Sequence, residues 1–241
     1  NALTIGQRDA IARGILRLSQ AQRVRLSSMA LGDQFATLAE CGFIKNAEYT
    51  NAAALSAQVD PRQNAEAQAV YNITPQSNGA ATRSAAVVFN VLQRNTGPGV
   101  ITIGGCDYHD GTQTTGDAKD LEIGTEIGRA VELARRLNKP LFFAVISDGS
   151  VYSDDNTRVW RGDAGSMGLL VLGYFHPSAA PTTLKTQIGH YREGQGVERS
   201  TYIGNSAKRA AYVTLLNYLA VAGLVGEFEA IVGQSEFDPA Q

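Results

Sequence analysis

The sequence predicts an α/β protein with a mainly parallel sheet flanked by helices and a helical N-terminal region. Three short apolar runs, rich in β-branched or aromatic residues, have the composition of buried strands: VITIGG at 100–105, LFFAVIS at 141–147 and GLLVLGY at 168–174. A long helical pattern separates the first two runs. Because strand–helix–strand crossovers join parallel neighbours, we expect these two strands to be parallel.

Helical patterns fill the chain before TGPG at 96–99. Thr4 and Ser19 are candidate caps of the first two helices, and a weaker third helix should end before Pro61. The run AATRSAAVVFNVLQRN at 80–95 places its apolar residues on one helical face. We divide the chain into a helical region, 1–72, and an α/β domain, 73–241. One continuous domain and a fragment of a larger domain are the alternatives.

Two further helices belong to the α/β domain. One runs roughly from Lys119 to Leu137, with Asp117 as its predicted cap, and lies between the first two strands. The other follows a polar stretch at 176–205 and contains Leu215 and Leu219. The C-terminal sequence GQSEFDPAQ has the composition of a frayed tail.

Composition and charge exclude two classes of partner. The 241 residues carry a formal net charge of -2, so the basic face that nucleic-acid binding requires is missing. No window is apolar enough for a membrane span. The sequence begins at Asn1 and not at methionine, which indicates a processed product or part of a longer protein.

The stretch GGCDYHDGTQTTGDAKD at 104–120 is the strongest candidate for a metal site. Asp107 and His109 directly follow the first predicted strand, and Asp148 follows the second. The carboxyl ends of neighbouring parallel strands open on the same rim. Carboxylates with a histidine bind zinc, manganese or calcium, and a bound metal can activate water. The alternative is that Asp, Gly and Thr collect here because they form turns, which is our interpretation of Asp120.

The other reactive side chains give weaker signals. A disulfide between Cys41 and Cys106 has no pattern in its favour, and each cysteine has the character of a small buried residue. Cys106 with His109 as base would make a thiol nucleophile, but spacing in a loop fixes no geometry. His176 and His190 are single histidines, which are usually structural. We therefore predict no catalytic residue and no organic cofactor.

Three motifs, GGCDYHDGT, LFFAVISDGS and RGDAGSMGLLVLG, together resemble a bacterial family of sulfatase-like exported proteins in the alkaline phosphatase superfamily. The resemblance covers about residues 74–174. It implies an alkaline phosphatase-like, incomplete fold in which Asp107, His109 and Asp148 match metal ligands. Asp163 would match the aspartate of the family's Asp-His-Gly motif.

The sequence also departs from that family. Ala164 stands where the family has a histidine, and Cys106 replaces an aromatic residue. The family takes its nucleophile and further ligands from an earlier strand, and no such strand is predicted before residue 99.

Two functions follow from this comparison. The first is a non-catalytic, exported structural or assembly subunit at the cell surface, which self-associates or binds a partner chain. The alternative is a metal-dependent hydrolase of phosphate or sulfate esters, completed by a missing N-terminal segment or by a partner chain. The exported location, in the periplasm or at the cell surface, is implied by the resemblance and by the missing methionine.

Overall fold

The structure is a computed structural model. It describes residues 56–106, 113–147, 152–153, 160–161, 170–179, 187–192 and 196–232, with residues 6, 7, 10, 11, 14 and 17. The chain divides into two compact units, Asn1–Thr102 and Ile103–Gln241, and each is described by itself. The predicted helix capped by Ser19, Cys41 and the C-terminal tail lie outside the described residues.

The first unit is helical. Its elements are α1 (Ser56–Val59), a 3₁₀ turn (Pro61–Gln63), α2 (Ala65–Tyr71) and α3 (Ala80–Leu92). The predicted helix at 80–95 is confirmed, and most of its predicted apolar face is buried. The buried residues of this unit are Ala67, Tyr71, Ile73, Ala85, Val88, Phe89 and Leu92. The core therefore forms where α2 and α3 turn these side chains inwards.

Short polar side chains set the boundaries of these helices. The predicted helix end before Pro61 is confirmed: Asp60 is extended, and its carboxylate accepts a hydrogen bond from the backbone N–H of Arg62 at 3.0 Å. Helix α2 was not predicted. Its signal is Asn64, whose side chain accepts from the N–H of Ala67 at 2.9 Å and so caps the helix.

The second unit combines helices with two small sheets. Its elements are α4 (Gln113–Arg136), β1 (Leu141–Ile146), β2 (Tyr152–Ser153), β3 (Trp160–Arg161), β4 (Leu170–Phe175), α5 (Ala207–Ala222), a 3₁₀ turn (Val225–Glu227) and α6 (Phe228–Val232). The second and third predicted strands, near 141–147 and 168–174, are confirmed as β1 and β4. The predicted C-terminal helix is confirmed as α5.

Among the described residues, every strand pair is antiparallel. β1 pairs with β4 from Leu141 opposite Phe175 to Ile146 opposite Leu170, and β2 pairs with β3. The predicted strand at 100–105 is wrong, because this segment has no regular structure and no neighbouring strand supplies a hydrogen-bonded ladder. The mainly parallel sheet therefore stays a prediction.

Helix α4 differs from its prediction at the N-terminal end. It begins at Gln113, so Asp117 lies inside the helix and the predicted cap is wrong. The helix continues through Gly116 and does not start after it. The predicted apolar face holds near the C-terminal end, where Leu133 and Ala134 are fully buried, whereas Leu121 is 73% exposed. None of the described helices has both the length and the apolar composition that crossing a membrane requires.

Aromatic contacts place α5 against the β1–β4 sheet. The rings of Phe142 in β1 and Tyr218 in α5 meet edge to face, with centroids 5.6 Å apart. The ring of Phe143 lies directly over Gly173 of β4, in the space that a Cβ would occupy. Because consecutive residues of a strand point to opposite faces, Phe142 and Phe143 place one aromatic ring on each face of the sheet.

Candidate functional site

All four predicted metal ligands, Asp107, His109, Asp148 and Asp163, lie outside the described residues, so the structure gives only their flanks. Asp148 comes directly after Ser147, at the carboxyl end of β1, as the sequence predicts. Asp107 and His109 stand between Cys106 and the first residue of α4, Gln113. The first loop therefore follows an irregular segment, and the second follows a strand.

Within the described ranges, no group of three or more His, Cys, Asp or Glu side chains could hold a metal ion. The predicted ligands are not among the residues searched. The divalent metal site therefore stays a prediction that rests on the sequence.

A cation lies beside the first predicted loop. A Cβ at Gly105, whose φ is +75°, would lie 3.5 Å from Cε of Lys119, so the backbone approaches this side chain closely. Lys119 donates to Oε2 of Glu122 at 2.8 Å. This hydrogen bond is the main cause of the raised pKa of Lys119, and Cys106 adds a smaller attraction. The ammonium group of Lys119 therefore lies beside the start of the first predicted loop and is paired with Glu122.

Cys106 has a local structural contact. Its thiol is half-buried and donates to the backbone carbonyl of Ile103, with Sγ 3.5 Å from the oxygen. The predicted partner of a nucleophilic thiol, His109, lies outside the described residues. The observed contact therefore fits the interpretation of Cys106 as a small packed side chain.

The two described histidines make local contacts. Nδ1 of His176 accepts from the backbone N–H of Ser178 at 3.2 Å, within a turn that follows β4. His190 is exposed, and its backbone carbonyl accepts from the N–H of Glu198 at 2.9 Å. The ring of His176 therefore stabilises a turn, whereas the described hydrogen bond of His190 involves its backbone and not its ring.

The polar stretch before α5 contains a small ordered turn that sequence analysis missed. An isolated bridge joins Tyr191 to Val197, and the N–H of Arg192 donates to the carbonyl of Gly196 at 2.7 Å. Oε1 of Glu198 accepts from both the N–H and the hydroxyl of Ser200, at 2.9 and 2.7 Å. These bonds, chiefly the backbone one, lower the pKa of Glu198. The polar groups of this turn therefore bond to one another and stabilise the turn itself.

Two strand edges in the described part of the chain have no neighbouring strand to pair with their backbone groups. Within the described residues, β1 pairs only with β4, so each strand keeps one edge without a ladder. Ile146 is 74% exposed and Val171 is 44% exposed at the same end of this sheet. Ile146 and Val171 point to opposite faces of the sheet, so each face carries an exposed apolar side chain that can add affinity to a contact.

The segment at 100–105 is a second set of unpaired backbone groups. Val100 is 81% exposed and Ile101 is 37% exposed. Within the part of the chain that the structure describes, the Cys106 thiol supplies the single hydrogen bond to this backbone, at Ile103. The sequence signal for both open regions is the same: an apolar run that follows a proline, Pro98 or Pro140.

Comparison with protein-family models, with curated proteins and with solved structures finds no match to this chain.

Proposed function

We propose that this protein is a non-catalytic, alkaline-phosphatase/sulfatase-like exported protein that acts as a structural or assembly subunit at the cell surface. The observation that carries the proposal is that, within the described residues, the β1–β4 sheet keeps two strand edges without a partner, near the exposed side chains of Ile146 and Val171. An enzyme needs a cluster of catalytic side chains. The feature that the described residues present is a pair of strand edges that can bind another strand.

The physical argument is that the two-stranded sheet packs against α5, and that further strands at its edges would add to its stability. Natural proteins protect free edges with lysines, prolines, bulges or covering elements. The sequences of β1 and β4, LFFAVI and LVLGYF, contain no charge and no proline. Edges without these protections favour pairing with a further strand.

The sequence supports the non-catalytic part of the proposal. Alanine at position 164, where the resembled family has histidine, has no atom that binds a metal. Cys106 replaces the family's aromatic residue, and its thiol bonds to the backbone. The exported location rests on the same resemblance.

A metal-dependent hydrolase is the second candidate. The observation in its favour is the position of Asp148 directly past β1, which is where ligands bind in the parallel α/β sheet that the sequence predicts. In this candidate Asp107, His109, Asp148 and Asp163 would hold a divalent zinc, manganese or calcium ion, and a missing segment or partner chain would complete the site.

Two measurements on the purified protein separate these candidates: native mass by light scattering, and metal content by elemental mass spectrometry. The subunit proposal predicts an assembly without stoichiometric transition metal and without hydrolysis of p-nitrophenyl phosphate or sulfate. A stoichiometric metal, lost in Asp107→Ala and His109→Ala but kept in Asp117→Ala, together with ester hydrolysis, would overturn it. Asp117 is a matched control because it is an exposed carboxylate inside α4.

A further inference from the structure

We infer that residues 100–103, here called the donor segment, add as an extra strand to the free edge of β1 in a second copy of this chain. The inference rests on the proposed function and deepens it by naming the two surfaces and the partner. Strand addition is a common way in which an extended segment binds a sheet, because main-chain hydrogen bonds supply affinity and alternate side chains supply specificity.

The donor segment has the properties of a strand that lacks a partner. Its sequence, VITI, is entirely β-branched and carries no charge. The backbone makes no helix, turn or bend, and the Ile103 carbonyl is its one hydrogen-bonded group among the described contacts. Val100 is 81% exposed, so water is the present partner of these backbone groups, and a neighbouring strand can take its place.

Glycines flank the donor segment on both sides. A Cβ at Gly99 would overlap the side chain of Val87 and lie 3.0 Å from Cγ2 of Val91. The backbone at Gly99 therefore lies close against these two side chains of α3. At the other end, Gly105 adopts a left-handed φ of +75°. The donor segment therefore starts in close contact with α3 and is followed by a glycine in the left-handed region.

The acceptor is the edge of β1 that faces away from β4. The sequence LFFAVI offers backbone donors and acceptors over six residues and no charged side chain that would repel VITI. Ala144 is exposed and small, so a neighbouring strand can approach it without steric conflict.

The second copy is the occupant because, within the described residues, the chain carries both a donor and an acceptor and the two do not pair with each other. In a set of copies, every donor segment and every free β1 edge can be paired, since each copy donates one strand and accepts another. Such head-to-tail contacts build rings or filaments, which suits an assembly subunit.

The first test compares Ile101→Pro with Ile101→Val by light scattering of the purified protein. Proline removes a backbone N–H and is excluded from central strand positions. We expect Ile101→Pro to elute as a monomer with an unchanged circular dichroism spectrum, while Ile101→Val assembles like the wild type. An assembly that survives Ile101→Pro would overturn the inference and leave the proposed function standing. A monomeric wild type would overturn both.

The second test identifies the partner directly and does not depend on the proline variant. Ile101→Cys and Ala144→Cys are combined in a background in which Cys41 and Cys106 are serine, and isotopically heavy and light chains are mixed before oxidation. We expect a disulfide between position 101 of one chain and position 144 of another, seen as heavy–light peptide pairs. A disulfide confined to single chains, or an assembly that forms no disulfide, would overturn the inference.

Discussion

The helical unit and the β1–β4 sheet differ in where their backbone groups find hydrogen-bond partners. At the junction of α1 and α3, Nδ2 of Asn90 donates to the carbonyls of Val59 and Ala86, both at 2.8 Å. At β1 and β4, one edge of each strand has no ladder among the described residues. A helix pairs its own backbone, but a strand depends on a neighbour. Among the described residues, the helical unit therefore pairs its polar groups within itself, whereas the sheet keeps two edges to which a further strand can add.

The largest effect should come from the core of the helical unit. Phe89 is 2% exposed, so Phe89→Ala should lower the free energy of unfolding by about 3–5 kcal/mol through lost burial and a cavity. Urea denaturation, with hydrogen exchange over residues 56–95, measures the loss. Leu121→Ala is the control, because at 73% exposure it should stay within about 0.5 kcal/mol. Equal losses in both variants would break the comparison.

The next effect should come from the paired interior of the sheet. A Cβ at Gly173 would overlap the ring of Phe143, so Gly173→Ala should cost about 1–3 kcal/mol of unfolding free energy by overpacking. Thermal unfolding measures it, and Gly128→Ala in α4 is the control, since nothing lies within 4 Å of its added Cβ. A neutral Gly173→Ala would mean that β1 and β4 do not pack as described.

A smaller effect should follow from the polar junction. Asn90→Ala removes the hydrogen bonds to Val59 and Ala86 and the one that Oδ1 accepts from Asn95, and it should cost about 0.5–1.5 kcal/mol in total because water reaches this part-buried site. Hydrogen exchange at residues 56–64 should increase, while exchange at residues 207–222 stays unchanged. If both regions lose protection equally, the helical unit does not have its own stability.

The smallest effect concerns pH. The hydrogen bond from the Arg62 side chain lowers the pKa of Asp60 below its ordinary 3.8. A lowered pKa means that the contribution to stability is present above the unfolded value and lost as the pH falls through the folded value. Asp60→Asn should therefore weaken this dependence below about pH 4 and keep the helix cap. Unfolding measured from pH 2 to 6 checks this. An identical acid limb in both proteins would contradict the role of Asp60.

Elements that depend on local sequence could be predicted, and those that depend on partners could not. The apolar face of the helix at 80–95 and the chain break before Pro61 follow from periodicity and proline chemistry, and both are confirmed. The run at 100–105 has equally strong strand composition, but composition cannot supply the neighbouring strand that a ladder needs. Antiparallel pairing of β1 with β4 is likewise set by contacts distant in sequence.

The candidate site could be predicted only as far as its position along the chain. Asp148 follows a strand because the apolar run LFFAVI ends immediately before it, and that part is local. Whether Asp107 and His109 share a rim with it depends on sheet order, which no local pattern determines. The early start of α4 shows the same limit, because Gly116 and Asp117 have the local signature of a helix start and lie within the helix.

The most direct test is hydrogen exchange at the amides of residues 100–103, measured by mass spectrometry over a range of protein concentrations. Our account predicts that protection of this segment rises with concentration as copies pair, while protection of residues 80–92 stays constant. Exchange at 100–103 that remains fast and independent of concentration, in protein that light scattering shows to be assembled, would contradict the account.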